Sequence, residues 1–177
     1  MGLGTIAVAV AVLLVAQAAS TRAETLPGSS GALDALALCD AAARQTDDAG
    51  RSALLERGLA LAEAAVDADD GDAAGQFAVF CNLGRRLQLK PLGWGCLTAV
   101  RRVRHAIDRA LELAPRSPQV LTAKGIMLLE LPGLLGGDRD EGSRLLQRAL
   151  EVAPDFHDAE RAIAEHGVAL PVPTAYR

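Results

Sequence analysis

A chain of 177 residues, half of them apolar and only 3% aromatic, fits one domain that can bury a core without disulfides or metals. Its 18 basic and 22 acidic side chains leave a formal charge of -4, which gives the chain as a whole no attraction for nucleic acid. Alanine is abundant, and strictly alternating β-branched or aromatic runs are missing after residue 20, which excludes an all-β domain and predicts an all-α one.

The first twenty residues, MGLGTIAVAVAVLLVAQAAS, carry no charged side chain, and their apolar run extends from Ile6 to Ala16. Small residues follow it: Ala16-Gln17-Ala18 fits an A-x-A cleavage pattern, and Thr21-Arg22-Ala23 ahead of Glu24 is a second. No Lys or Arg precedes the run, so only the amino terminus supplies positive charge there. Residues 1–23 are expected to be a signal peptide, which sends the mature chain to a periplasm or cell envelope. If kept, about 20 apolar residues suffice to anchor the chain in a bilayer. Met1-Gly2 does not make a myristoylation site, because Ile6 stands where Ser or Thr is wanted. The tetrapeptide LALC, ending at Cys39, lacks the apolar lead-in of a lipobox. Residues 24–32, ETLPGSSGA, read as a flexible leader.

From residue 33 onward the pattern is helical. Expected helices cover about 33–46, 50–68, 73–88, 97–113, 118–131, 138–152 and 155–166, the last as a cap. Ser117 before Pro118 makes a helix start, and Asp138 with Glu141 three residues on is close to a capping box. The phrase RALELAP begins at Arg109, and RALEVAP begins at Arg148. Upstream agreement extends the copies, so that Val103, Ile107 and Ala110 match Gly142, Leu146 and Ala149. Gly58, Ala62 and Ala65 form a weaker third set, with Asp70 where the others have Pro115 and Pro154. Offsets of four and three lie on one helix face.

This small-x-x-x-apolar-x-x-Ala-Leu-x-x-x-Pro pattern resembles the second helix of a tetratricopeptide repeat (TPR). Leu121, Gly125 and Leu128 fall where that repeat has its large, small and large first-helix residues. The resemblance implies antiparallel helix pairs stacked into a right-handed superhelix, about three repeats plus a capping helix over residues 33–168, followed by an extended tail, 169–177. Against the usual 34-residue repeat, the third unit carries about five extra residues between its helices (LPGLLGG) and the second about thirteen (LKPLGWGC). Looped units of this kind are similar to exported bacterial repeat proteins typified by the T component of tripartite periplasmic transporters. They also resemble a mitochondrial microtubule-regulator group, against which a secretory leader argues. Such proteins bind partners on a concave face lined by first helices.

Charge is segregated along the chain. No acid occurs from Ala73 to Ile107, where Arg85, Arg86, Lys90, Arg101, Arg102 and Arg104 fall; Glu63, Asp67, Asp69, Asp70 and Asp72 precede that stretch. A solvated helix face accounts for much of this, with Arg85 and Arg86 at the negative end of a helix dipole and Arg104 paired with Asp108 four residues on. The sharper reading is a docking patch for an acidic partner, formed by Arg85, Arg86, Arg101 and Arg102 with Trp94 in the glycine-flanked loop. In LPGLLGG, Leu134 and Leu135 are expected to tuck against the stack. Among the cysteines, Cys39 and Cys81 lie near the middle of first helices in adjacent units and are the preferred disulfide pair; Cys81 with Cys96, or three free thiols, remain open.

Catalysis finds no footing. His105, His157 and His166 are scattered without metal-ligand spacing, DADDGD does not fit a calcium loop, and the glycines lack the lysine of a phosphate loop. The expectation is a non-catalytic, exported TPR-like protein with no cofactor or metal. It is expected to engage an unidentified protein or peptide through its concave face, an acidic one if the arginine patch is the docking surface. The alternative is a small-molecule carrier or transporter accessory component, with a pocket ringed by Trp94, Leu92 and Leu134.

Overall fold

Ser29, Asp47, Asp72, Ser117 and Asp138 each accept a backbone N–H with the side chain just ahead of a helix, and these five caps set where most of the helices begin. The structure, a computed structural model, describes residues 26–89 and 96–169. Among these it holds seven helices and no strand: α1 (Ser30–Arg44), α2 (Asp48–Ala68), α3 (Ala73–Gln88), α4 (Cys96–Leu113), α5 (Pro118–Glu130), α6 (Arg139–Val152) and α7 (His157–His166). A short 3-10 turn, Gly133–Leu135, interrupts the α5–α6 connection. The expected signal peptide, Lys90, Leu92, Trp94, the Cys96 side chain and all of the expected tail after Ala169 lie outside the described residues. No described helix is long and apolar enough to cross a membrane.

Consecutive helices pack as pairs, α1 with α2, α3 with α4 and α5 with α6, and α3 also lies along both α1 and α2. The small and apolar positions read from the repeated phrases are the ones that make these contacts. Gly58, Ala62 and Ala65 of α2, Val103, Ile107 and Ala110 of α4, and Gly142, Leu146 and Ala149 of α6 are all buried, as are Leu121, Gly125 and Leu128 of α5. Small residues let backbones approach. A Cβ added to Gly142 would stand 2.8 Å from the Gly125 carbonyl oxygen, so α5 and α6 meet almost backbone to backbone. Between α4 and α5 the spacing is set instead by larger groups, with Phe77, Phe80 and Met127 packed around Ile107, Ala110 and Val120. The Phe77 and Phe80 rings stack with centroids 5.9 Å apart.

The opening arginine of each phrase has an equivalent task. Arg148 donates to the carbonyl of Pro115, the last residue of the preceding phrase, at 3.0 Å. Arg109 pairs at 3.0 Å with Asp70, which holds the corresponding place one copy earlier. Each phrase thus staples its helix to the end of the equivalent helix one unit earlier, buries its alanine and terminates at proline.

Three local expectations are corrected. Part of the expected flexible leader is fixed: α1 starts at Ser30, the Ser29 amide donates to Asp72 at 2.9 Å, and the Pro27 carbonyl accepts from Ala74 at 3.0 Å. Leu134 does not tuck against the stack; it is 97% exposed, because the 3-10 turn aims it outward. Arg104 does not pair with Asp108. It reaches the Leu135 carbonyl at 3.2 Å, while Asp108 pairs with Lys124 at 2.9 Å.

Candidate functional site

Two recesses repeat the same construction. In the first, α2 and α4 form the walls and α3 the floor: Glu63, Val66 and Asp67 face Arg102, His105 and Ala106 above Gln76 and Val79, around about 290 Å3. In the second, α4 and α6 form the walls and α5 the floor. Asp108, Leu111 and Glu112 stand where Glu63, Val66 and Asp67 stood, Lys124 replaces Val79, and Glu141 replaces Arg102, around about 570 Å3.

Electrostatics decides which recess is bridged. Across the first, Arg102 forms an ion pair with Glu63, and the Arg109–Asp70 pair lies beyond it. Both bridges span 39 residues, which requires α2 and α4 to run in the same direction. In the second, the equivalent of the Glu63–Arg102 pair is Asp108 opposite Glu141, two acids that cannot bridge. Asp108 turns to Lys124 on the floor, and Glu141 turns to Arg144 of its own helix at 2.8 Å. The cleft stays open above an apolar strip of Leu111, Met127 and Leu128.

Its end wall comes from the inserted LPGLLGG segment. Gly136 has φ 87°, a left-handed conformation that favours glycine, and the Arg104 guanidinium occupies the space a side chain there would need. Gly137 lies against the Leu131 carbonyl, and the Asp138 amide donates to Leu128 at 3.0 Å, so the insertion is held at both ends. Asp138 then caps α6 through the amides of Asp140 and Glu141.

The residues singled out in the sequence are distributed over several surroundings. Arg102 belongs to the bridged recess. Arg85 is exposed beside Cys39 and Asp40 of α1, Arg86 is half-buried and Arg101 exposed; among the described residues none of these three has a carboxylate within ion-pair distance. Trp94 lies outside the described residues. Cys39 and Cys81 do meet, in a small apolar cluster with Ala42, Leu54, Leu55 and Leu89, as free thiols. The Cys81 thiol acting as donor, helped by Arg85 and opposed by burial, holds Cys39 below the ordinary cysteine value. That same bond and the apolar surroundings hold the Cys81 proton well above it.

Sequence reasoning missed the cleft itself and its residues Asp108, Glu112, Lys124, Asp138 and Glu141. The signal was present in the aligned copies, where a basic residue at one wall position, Arg102, becomes acidic Glu141 one unit later. Among the described residues no group of three His, Cys, Asp or Glu is placed to hold a metal ion. No family model matches this chain, and no curated protein matches it.

Proposed function

We propose that this chain is an exported, TPR-like helical-repeat protein of about three units and a capping helix, wound as a right-handed superhelix, that works by binding another polypeptide. The observation that carries the reading is the open α4–α5–α6 cleft, built like the bridged recess before it but left unclosed and walled by an insertion. Its apolar strip between charged lips suits an extended or helical segment that places an apolar side chain between polar neighbours. The face of the first helices, which carries Arg85, offers a second surface for an acidic partner. Export rests on the uncharged apolar run and cleavage patterns of residues 1–23.

A carrier reading draws on one observation: about 570 Å3 falls within the range of small-molecule sites. Leu134, expected to ring such a pocket with Trp94 and Leu92, points to solvent instead.

Affinity capture from native envelope extract tests the proposal with three baits: the wild-type protein, Glu141→Arg, and Arg85→Glu with Arg101→Glu. Glu141→Arg restores the cross-cleft pair with Asp108 and should abolish capture if the cleft is the site. Loss only with the arginine variant moves binding from the cleft to the arginine patch. No partner with any folded bait refutes the polypeptide reading, and ligand-induced thermal stabilisation then tests the carrier.

A further inference from the structure

Cys39 sits in the middle of α1 and Cys81 in the middle of α3, on helices that lie side by side although their sequence positions are far apart. Cys39 is almost fully buried, at 1% exposure, whereas Cys81 is partly exposed. The apolar residues packed around them are Ala42, Leu54, Leu55 and Leu89. Asp40 and Arg85 are the charged groups acting on the pair, and Arg85 is exposed. Two thiols in contact across two helices, with a guanidinium beside them, are placed for thiol–disulfide exchange.

We propose that Cys39 and Cys81 are a redox-closable clasp that joins the first helix pair to the second, with Cys81 as the entry thiol and Cys39 as the resolving thiol. The oxidant is a low-molecular-weight or protein disulfide, RSSR. The Cys81 sulfur, once deprotonated, attacks one sulfur of RSSR; a Cys81–SR bond forms, the S–S bond breaks, and RS− leaves with the electron pair. Cys39 then loses its proton and attacks the Cys81 sulfur, forming the Cys39–Cys81 bond and expelling the second RS−. The two cysteine protons end on the two RS− groups, and two electrons pass from the protein to RSSR. Entry falls to Cys81 because Cys39 is the more deeply buried of the two, and it is slow because Cys39 and the apolar surroundings hold the Cys81 proton. Resolution by Cys39 follows from its position directly behind, where Arg85 favours the thiolate and solvent is excluded.

The test equilibrates the full chain in glutathione buffers from reducing to oxidising, quenches with acid, blocks free thiols with N-ethylmaleimide and maps peptides by mass spectrometry. The expected result is a Cys39–Cys81 linked peptide, lighter than the two reduced peptides by about 2 Da. Cys39→Ala should stop at a glutathione adduct on Cys81, and Cys81→Ala should leave Cys39 reduced. The melting temperature should rise on oxidation of the wild-type protein and of Cys96→Ala, but not of Cys81→Ala. Should Cys39→Ala fail to fold, Cys81→Ala and Cys96→Ala still decide the matter. Both thiols remaining open to N-ethylmaleimide in the most oxidising buffer, or a Cys81–Cys96 linked peptide in place of the expected one, overturns the proposal.

Discussion

Replacing Gly58 with alanine puts a methyl group where the Asn82 amide already is: the nearest atoms to the new Cβ are Asn82 Oδ1, its Cγ at 2.8 Å and its Nδ2 at 3.1 Å. Asn82 has nowhere cheap to go. It is fully buried, and its Nδ2 donates to the Ala35 carbonyl of α1 at 3.1 Å and to the Ala78 carbonyl of its own helix at 2.9 Å. Displacing the amide forfeits two hydrogen bonds of about 1 kcal/mol each, and overpacking of this sort costs about 1–3 kcal/mol. Alanine's better helix propensity returns about 1 kcal/mol. The net expectation for Gly58→Ala is a loss of about 2–4 kcal/mol.

Asn82→Ala changes the sign. With the amide gone, the new methyl fills part of a vacated space instead of colliding, and the propensity gain remains. In that background Gly58→Ala should stabilise by about 1 kcal/mol. The assay is urea denaturation followed by helical circular dichroism on all four proteins of the cycle. An equal loss in both backgrounds would show that Asn82 is not what Gly58 makes room for, and the packing argument for the α1–α2–α3 junction would fail.

Asp72→Ala should cost about 1–2 kcal/mol near neutrality, because the carboxylate caps α3 and also holds Ser29. Burial pushes the Asp72 pKa up, but hydrogen bonds from Ser29, Gly75 and Ala74 outweigh it and leave it lowered. Its stabilisation is therefore complete above the unfolded value of about 3.9 and is lost as pH falls through the folded one; urea midpoints of the two proteins should converge on acidification, and a constant gap would contradict the assignment. Leu134→Asp should leave the urea midpoint within about 0.5 kcal/mol of wild type, whereas Leu146→Ala, from a fully buried site, should cost about 2–5 kcal/mol. Glu141→Arg removes an acid from the first turn of α6 and its pair with Arg144, yet gains Asp108 across the cleft, so its stability should change by less than about 1 kcal/mol; a larger loss would disqualify it as a binding probe.

The helix pattern and its inward faces were legible because periodicity is a local property. Val103, Ile107 and Ala110 could be placed on one buried stripe from their spacing, and Ser117 and Asp138 could be read as helix starts from the residues after them. What could not be read depends on how one unit meets the next. Arg104 and Asp108 have ideal spacing for an intrahelical pair, but the inserted turn offers Arg104 a carbonyl and α5 offers Asp108 a lysine. Leu134 looks like core from its chemistry, yet the 3-10 turn decides its direction. The tie between Ser29 and Asp72, distant in sequence, turned an expected flexible stretch into a docked one.

The two recesses make the same point about function. Their walls and floors come from equivalent positions, so the backbone arrangement alone does not distinguish them. An exposed ion pair such as Arg102–Glu63 adds about 0–1 kcal/mol of stability, too little to explain why a repeat would keep or lose it. Its larger effect is on access: the pair lies across the recess, and one change of sign at the equivalent wall position removes the bar. Stability in this chain resides in alanines, glycines and caps that recur from unit to unit. Differences between units are carried by the residues that stability hardly notices, a wall charge and an inserted turn, and those are the positions where the proposed partner would be selected without unfolding the stack.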